Sequence, residues 1–216
     1  RLRAAQRPMP WWRAIVAALP RDAIISSDIG NNCAIGNAYP TFEQGRKYLA
    51  PGLFGPCGYG LPAIIGAKIG CPTVPVVGFA GDGAFGIAVN EMTAIGRDEW
   101  PAITMVVFRN YQWGAEKRNT TLWYDDNFVG TELDPKVSYA AIAKACGLEG
   151  VQVRTMEDLT TALDAAVEAQ MKESRTTFIE VILNQELGEP FRRDAMTRPV
   201  VIAGIDRCDM RQQPGA

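Results

Sequence analysis

Val74-Pro75-Val76-Val77-Gly78-Phe79-Ala80-Gly81-Asp82-Gly83, read with Ile103-Thr104-Met105-Val106-Val107-Phe108-Arg109-Asn110, decides the fold. The apolar runs Val74–Phe79 and Ile103–Phe108 predict buried strands, and Asn90–Ile95 between them belongs to a helix. If the two strands are parallel neighbours, Asp82 and Asn110, 28 positions apart, leave the sheet at the same edge. A carboxylate and an amide oxygen there suit a hard divalent cation such as Mg²⁺, completed by waters and phosphate oxygens. Gly83 and Ala84 then let a diphosphate approach the start of the next helix. An isolated Asp-Gly after a strand is ordinarily only a turn. The strand–turn–helix–strand–Asn order, and a glycine-rich segment upstream, favour a metal–diphosphate site instead.

Working outward, strands alternate with helices. Trp11–Leu19 reads as a short helix closed by Pro20, and Ala23–Ser27 as a strand running into the loop Asp28-Ile29-Gly30-Asn31-Asn32. Gly52–Gly60 is rich in glycine, and Pro62 fits the first turn of a helix to about Lys68. Gly81–Gly83 reads as a turn. Tyr111–Lys136 reads as a functional loop or lid with some short helix. Ser138 caps a predicted helix Tyr139–Cys146, stopped by Gly147, and Val151–Val153 is a short strand. Thr155 and Asp158 resemble a capping box, and Leu159, Leu163, Val167 and Met171 mark an amphipathic helix. Thr177–Leu183 is the last strand, followed by an irregular tail. The alternation predicts an α/β fold, a doubly wound parallel sheet flanked by helices. Such sheets bind ligands beyond the carboxyl ends of their strands, where Asp28–Asn32, Gly81–Ala84 and Asn110–Gly114 fall. We divide the chain into a helix and linker at 1–20, a cofactor domain at 21–184 and a tail at 185–216.

Composition narrows the class. The 216 residues carry a net charge of -2, which gives no electrostatic footprint for nucleic acid. No apolar run has the length of a membrane span, and Arg1–Arg13 lacks the apolar core of a secretory signal. The chain does not begin with Met, which suits a segment of a longer polypeptide. Five scattered cysteines without a C-x-x-C pair disfavour zinc or a disulfide framework and point to the cytoplasm. The chain has no histidine, which removes a Ser-His-Asp triad and any histidine metal ligand or general base within it.

Leu53-Phe54-Gly55-Pro56-Cys57-Gly58-Tyr59-Gly60-Leu61-Pro62-Ala63-Ile64-Ile65-Gly66-Ala67 is the second strong signal. Small residues such as Ala63, Gly66 and Ala67 are equally read as helix packing. With Gly81-Asp82-Gly83 and Asn110 behind it, the sequence resembles the thiamine diphosphate enzymes of the acetolactate-synthase type, in their C-terminal, diphosphate-binding domain. The resemblance runs from about Asp22 to Leu183. It implies thiamine diphosphate and Mg²⁺ as cofactors, with Asp82 and Asn110 binding the metal through side chains and Gln112 through its carbonyl. It implies that Gly30, Asn31, Asn32, Gly81, Gly83, Ala84 and Gly114 line the cofactor. It gives the Gly55 carbonyl to the aminopyrimidine and the apolar propping position to Cys57, where the family often has Met, Leu or Ile. The family usually has two consecutive Asn; here the first is Arg109. No catalytic residue is assigned, because the activating glutamate is expected on a separate N-terminal domain, and Glu91 does not match it. The implied partner is that pyrimidine-binding domain, from the same or another subunit, in a homodimer or homotetramer.

Gln112-Trp113-Gly114-Ala115-Glu116-Lys117, Asn127-Phe128-Val129-Gly130 and Glu189-Pro190-Phe191-Arg192-Arg193-Asp194-Ala195 narrow the resemblance. They are similar to the branch of that family that converts sulfoacetaldehyde and phosphate to acetyl phosphate and sulfite. Both substrates are anions, so Trp113, Lys117, Arg192 and Arg193, with Arg118, are candidate substrate contacts. For any one of the cations a solvated surface position is an equal reading. Acetolactate synthase or another 2-oxo-acid decarboxylase is the enzymatic alternative. A nucleotide-binding module on a flavodoxin-like sheet is the non-enzymatic one.

Overall fold

The computed structural model describes residues 14–38, 42, 45 and 47–185. Six strands form one parallel sheet in the order β2-β1-β3-β4-β6-β5. These are β1 (Ile24–Ser27), β2 (Tyr48–Leu49), β3 (Val76–Gly81), β4 (Thr104–Arg109), β5 (Glu149–Val153) and β6 (Thr177–Ile182). Around them lie α1 (14–18), α2 (Asn31–Ala38), α3 (Gly60–Gly70), α4 (Asp82–Ile87), α5 (Glu91–Ile95), α6 (Gly114–Trp123), α7 (Tyr139–Ala145) and α8 (Met156–Lys172). Trp11–Arg13, with which the first helix was expected to begin, lie outside the described residues. Among the described residues no helix is long and apolar enough to cross a membrane.

Alternation along the strands feeds two cores. Val77 and Phe79 of β3 join Val106 and Phe108 of β4 on one face, under Ile15 of α1 and Leu159 and Leu163 of α8. Val76, Ala80, Met105 and Val107 face the other way, onto Leu61 and Ile64 of α3, Met92 of α5 and Ala143 of α7. The caps read from the sequence are made: Ser138 Oγ accepts from Ala141 N at 3.2 Å and Thr155 Oγ1 from Asp158 N at 3.1 Å.

The expected parallel neighbours are β3 and β4, paired with Gly81 opposite Phe108. Their bounds shift by one or two residues toward the carboxyl end, because the ladder continues through Ala80, Gly81 and Arg109. Gly81–Gly83 is therefore not a separate turn. Gly81 ends the strand in extended conformation (ψ 157°) and Asp82 opens α4 at once. The segment 111–136 holds a ten-residue helix, longer than expected. The two-residue strand β2 was not foreseen; so short a run carries no periodicity to read.

The strand order reverses direction at β1 and β3: β2 lies on one side of β1, and β3 with the later strands on the other. The loops leaving these two strands diverge there, the position at which such sheets form a ligand crevice at the carboxyl edge.

Candidate cofactor and metal site

Three loops meet at that crevice. The first begins with Asp28 at the end of β1. Its buried carboxylate accepts from Ile29 N at 2.8 Å, Gly58 N at 3.1 Å and Gly60 N at 2.8 Å. One side chain thus ties the glycine-rich loop to the sheet. Burial pushes the Asp28 carboxyl up, against the lowering pull of these N–H groups. The loop accepts the tie because Gly55 and Gly58 have φ of 60° and 83°, a region where a side chain is strained.

Asp82 is 1% exposed. Oδ2 accepts from Tyr111 N at 2.7 Å and Oδ1 from Gly83 N at 3.1 Å. Burial pushes its carboxyl up to about 6, opposed by the Tyr111 N–H, the Arg109 charge and the Gly83 N–H. One end of the Asn110 amide lies 3.2 Å from Asp82 Oδ1 and 3.1 Å from the Gln112 carbonyl oxygen. With nitrogen at that end the amide donates to both. With oxygen there, three oxygens converge. Adjacent ligands of an octahedral Mg²⁺ at about 2.1 Å lie about 3.0 Å apart, so the spacing fits a cation drawing the oxygen inward. Among the described residues no cluster of three His, Cys, Asp or Glu could hold a metal.

Gly81, Gly83 and Gly114 of the expected set lie close to Asn32, Trp113 and Asn110 respectively. A Cβ on Gly81 would lie 3.1 Å from Asn32 Nδ2, and one on Gly114 3.4 Å from Asn31 Nδ2 and 3.2 Å from Asn110 Nδ2. Gly83 lies under the Trp113 ring, whose Cε3 and Cδ2 would be 2.7 and 2.8 Å from an added Cβ. Ala84 is buried in the first turn of α4. Gly30 precedes α2 with φ 108°. Cys57 is exposed; partial burial raises its thiol, and the charges of Asp28 and Glu116 add to this. That chemistry is of a neutral contact rather than a thiolate.

Lys117 sits beside the site with its charge engaged. It donates to Gln112 Oε1 at 3.1 Å, pairs with Glu132 and lies over the Phe128 ring at 5.1 Å. Gln185 Nε2 completes the clasp on Glu132 at 2.9 Å. Arg192 and Arg193 lie outside the described residues. Sequence reasoning placed Asp28 and Tyr111 in the edge loops without a role for either, and missed Glu180. Asp28 carried a signal: like Asp82, it is an acid that directly follows an apolar strand, and its own glycine, Gly30, stands two residues on. Glu180 carried another, an acid inside the apolar run of β6.

The model of the "Thiamine pyrophosphate enzyme, C-terminal TPP binding domain" matches residues 28–181. The chain belongs to this family. The residues matched by the TPP-binding domain model include all three loops of the crevice. The sulfoacetaldehyde acetyltransferase of Roseovarius nubinhibens is 77% identical over 206 residues, 95% of this chain and 34% of that protein. The one from Rhodobacter capsulatus is 77% identical over 96% of this chain and 35% of its own length. The acetolactate synthase isozyme 3 large subunit of Escherichia coli is 27% identical over 76% of this chain. This TPP-binding domain therefore spans about a third of the curated relatives it matches. Its fold is similar to that of the thiamine diphosphate-dependent 4-hydroxybenzoylformate decarboxylase of Rhodococcus jostii. The TM-score is 0.74 at 23% identity, over 87% of this chain and 34% of that one.

Proposed function

We propose that the chain is the diphosphate- and metal-binding part of a sulfoacetaldehyde acetyltransferase, which converts sulfoacetaldehyde and phosphate to acetyl phosphate and sulfite. The observation that carries this reading is the 77% identity over 206 residues, against 27% to an acetolactate synthase. Family membership sets aside the bare nucleotide-binding module.

In this reading Asp82 Oδ1, the Asn110 amide oxygen and the Gln112 carbonyl hold Mg²⁺. The backbone of Gly83 and Ala84 at the start of α4, with Asn31, Asn32 and Gly114, lies against the diphosphate. Gly55 and Cys57 orient the organic end, and Gly30 and Gly81 keep the floor open. Thiamine diphosphate, when bound, supplies the carbanion chemistry at a carbonyl carbon. The chain's own contribution is to hold and orient that group and to keep the Asp82 carboxylate dry and directed.

Trp113 borders the site by its contact with Gly83, which supports a role near substrate. The engagement of Lys117 with Glu132 shifts the anion-binding role toward Arg192 and Arg193, since paired guanidinium donors suit sulfonate and phosphate. A pyrimidine-binding domain, from the same or another subunit of a homodimer or homotetramer, supplies the activating glutamate. Leu53, Phe54 and Ile87, exposed at 109%, 92% and 61% beside the glycine-rich loop, support such a partner. The division into 1–20, 21–184 and 185–216 belongs to the same reading, as does the cytoplasmic setting, supported by four free cysteines among the described residues.

The test is product analysis of the full-length protein, with sulfite release, phosphate dependence and acetolactate formation measured side by side. Phosphate-dependent sulfite and acetyl phosphate are expected from sulfoacetaldehyde. Acetolactate from pyruvate, with no sulfite, would move the protein to the acetolactate-synthase class.

A further inference from the structure

The two oxygens of the Asp82 carboxylate are not equivalent. Oδ2 accepts from Tyr111 N at 2.7 Å, with Arg109 Nη1 behind it at 4.0 Å. Oδ1 accepts the longer bond from Gly83 N at 3.1 Å, has no cation behind it among the described residues, and faces the Asn110 amide and the Gln112 carbonyl. Arg109 is itself held by other groups. Nε pairs with Glu180 Oε1 at 3.2 Å, and Nη2 donates to the Asp134 carbonyl at 2.9 Å. The guanidinium carbon lies over the Tyr111 ring at 4.6 Å and the Tyr139 ring at 5.2 Å. Glu180 is fixed in turn by Ser138 Oγ at 2.7 Å, Tyr139 N at 3.2 Å and Ala140 N at 3.3 Å. Tyr139 Oη donates to the Asp82 carbonyl at 2.9 Å.

Arg109 therefore grips both ends of one contact. It packs on the ring of Tyr111, whose backbone N–H occupies Oδ2 and whose φ of 61° is unusual for a residue with a side chain. It also sets a positive charge behind the same oxygen. Only a planar fork reaches Glu180, Asp134 and the ring faces together; an ammonium is a single point. The arrangement matters for metal choice. Ca²⁺ takes six to eight oxygens and accepts carboxylates through both oxygens, whereas Mg²⁺ demands near-ideal octahedral geometry.

We infer that Arg109 is a positioning residue that reserves Oδ2 of Asp82 for the protein, so that a divalent cation meets Oδ1 alone and the site selects Mg²⁺ over Ca²⁺. This rests on the metal–diphosphate reading of the site. The competing role for a buried Arg109–Glu180 pair is a structural tie between β4 and β6, which would alter stability and leave metal choice untouched.

The two roles separate in a binding experiment on the full-length protein. Thiamine diphosphate is titrated calorimetrically in Mg²⁺ and in Ca²⁺, for the unmodified protein, Arg109→Lys and the charge-balanced Arg109→Met/Glu180→Gln, with melting temperatures in parallel. The Mg²⁺-to-Ca²⁺ affinity ratio should fall about tenfold or more in the double variant, the usual reach of a group behind a metal ligand. It should fall by less in Arg109→Lys, which keeps the charge and loses the fork. An unchanged ratio in a variant that folds overturns the inference, whatever its melting temperature. Failure of both variants to fold would make Arg109 a structural tie and overturn it too. An unmodified protein that binds the cofactor without any metal would instead overturn the reading of the site beneath it.

Discussion

Asp82 is asked to be both buried and charged, and the two demands conflict. Its folded carboxyl, pushed up to about 6 from 3.8, favours the protonated form more than an unfolded chain does. In the metal-free protein its contribution to stability is thus fully present below 3.8 and is lost as pH rises through about 6. The amount is on the order of 3 kcal/mol at most. A bound cation repays that loss, so metal-dependent cofactor affinity should fall as pH drops below about 6. Calorimetry between pH 5 and 8 checks this, and affinity flat across that window would contradict it. Asp82→Ala should weaken metal and cofactor binding together; undiminished cofactor affinity in that variant would remove Asp82 from the site. Gly83 makes a second demand, of space. Gly83→Ala places a methyl 2.7 Å from Trp113 Cε3, and roughly 1–3 kcal/mol of stability should go. The same change in a Trp113→Ala background should cost far less, and equal costs in the two backgrounds would refute the contact. Asp82, Gly83 and Asn110 were legible in the sequence because they directly follow strongly apolar strands. Their support was not: Tyr111 and Arg109 act through a backbone turn and a long side chain whose direction no spacing reveals.

The elements were legible where burial writes a period, and less so at their ends. α8 was readable from Leu159, Leu163 and Val167, all buried, and its N-terminus from Thr155. β3 and β4 were readable as apolar runs, but glycine and aspartate hid the point where β3 becomes α4. Gln170 shows what periodicity omits. It lies on the buried side of α8, and its amide accepts from Val76 N at 2.9 Å. It donates to Val76 O at 2.8 Å and Thr104 Oγ1 at 3.0 Å. One side chain thus satisfies both backbone groups of Val76, one residue before the β3–β4 pairing begins at Val77. Gln170→Leu should strand the buried Val76 N–H and carbonyl and lower stability by about 1–3 kcal/mol. The check is a chemical denaturation midpoint with unchanged slope; a midpoint equal to that of the unmodified protein would show that the clamp is idle.

Across the whole molecule, the parallel order and its reversal at β1 and β3 collect residues distant in sequence at one edge. Asp28, Gly58 and Gly60 are bonded there, and Asp82, Asn110 and Gln112 lie within a few ångströms of one another. Nothing in the described residues offers a histidine or a free buried acid to act on the organic end of a cofactor. The same edge carries Leu53, Phe54 and Ile87 in the open, an apolar surface beside the site with no cover among the described residues. Gly58 packs against Ile87, since a Cβ there would meet it at 3.0 Å, so this surface and the cofactor loop are one piece. A partner domain that covers it would order the loop and complete the site in the same step. The 216-residue chain by itself should therefore bind thiamine diphosphate with Mg²⁺ and release no sulfite from sulfoacetaldehyde. Phe54→Asp, away from the metal ligands, should leave cofactor binding by the isolated chain within about twofold while weakening assembly of the full-length protein. Calorimetry on the chain and sedimentation of the full-length protein measure the two effects separately. Robust sulfite release by the isolated chain, or unaltered assembly of the Phe54→Asp protein, would show that the apolar edge covers nothing the reaction needs.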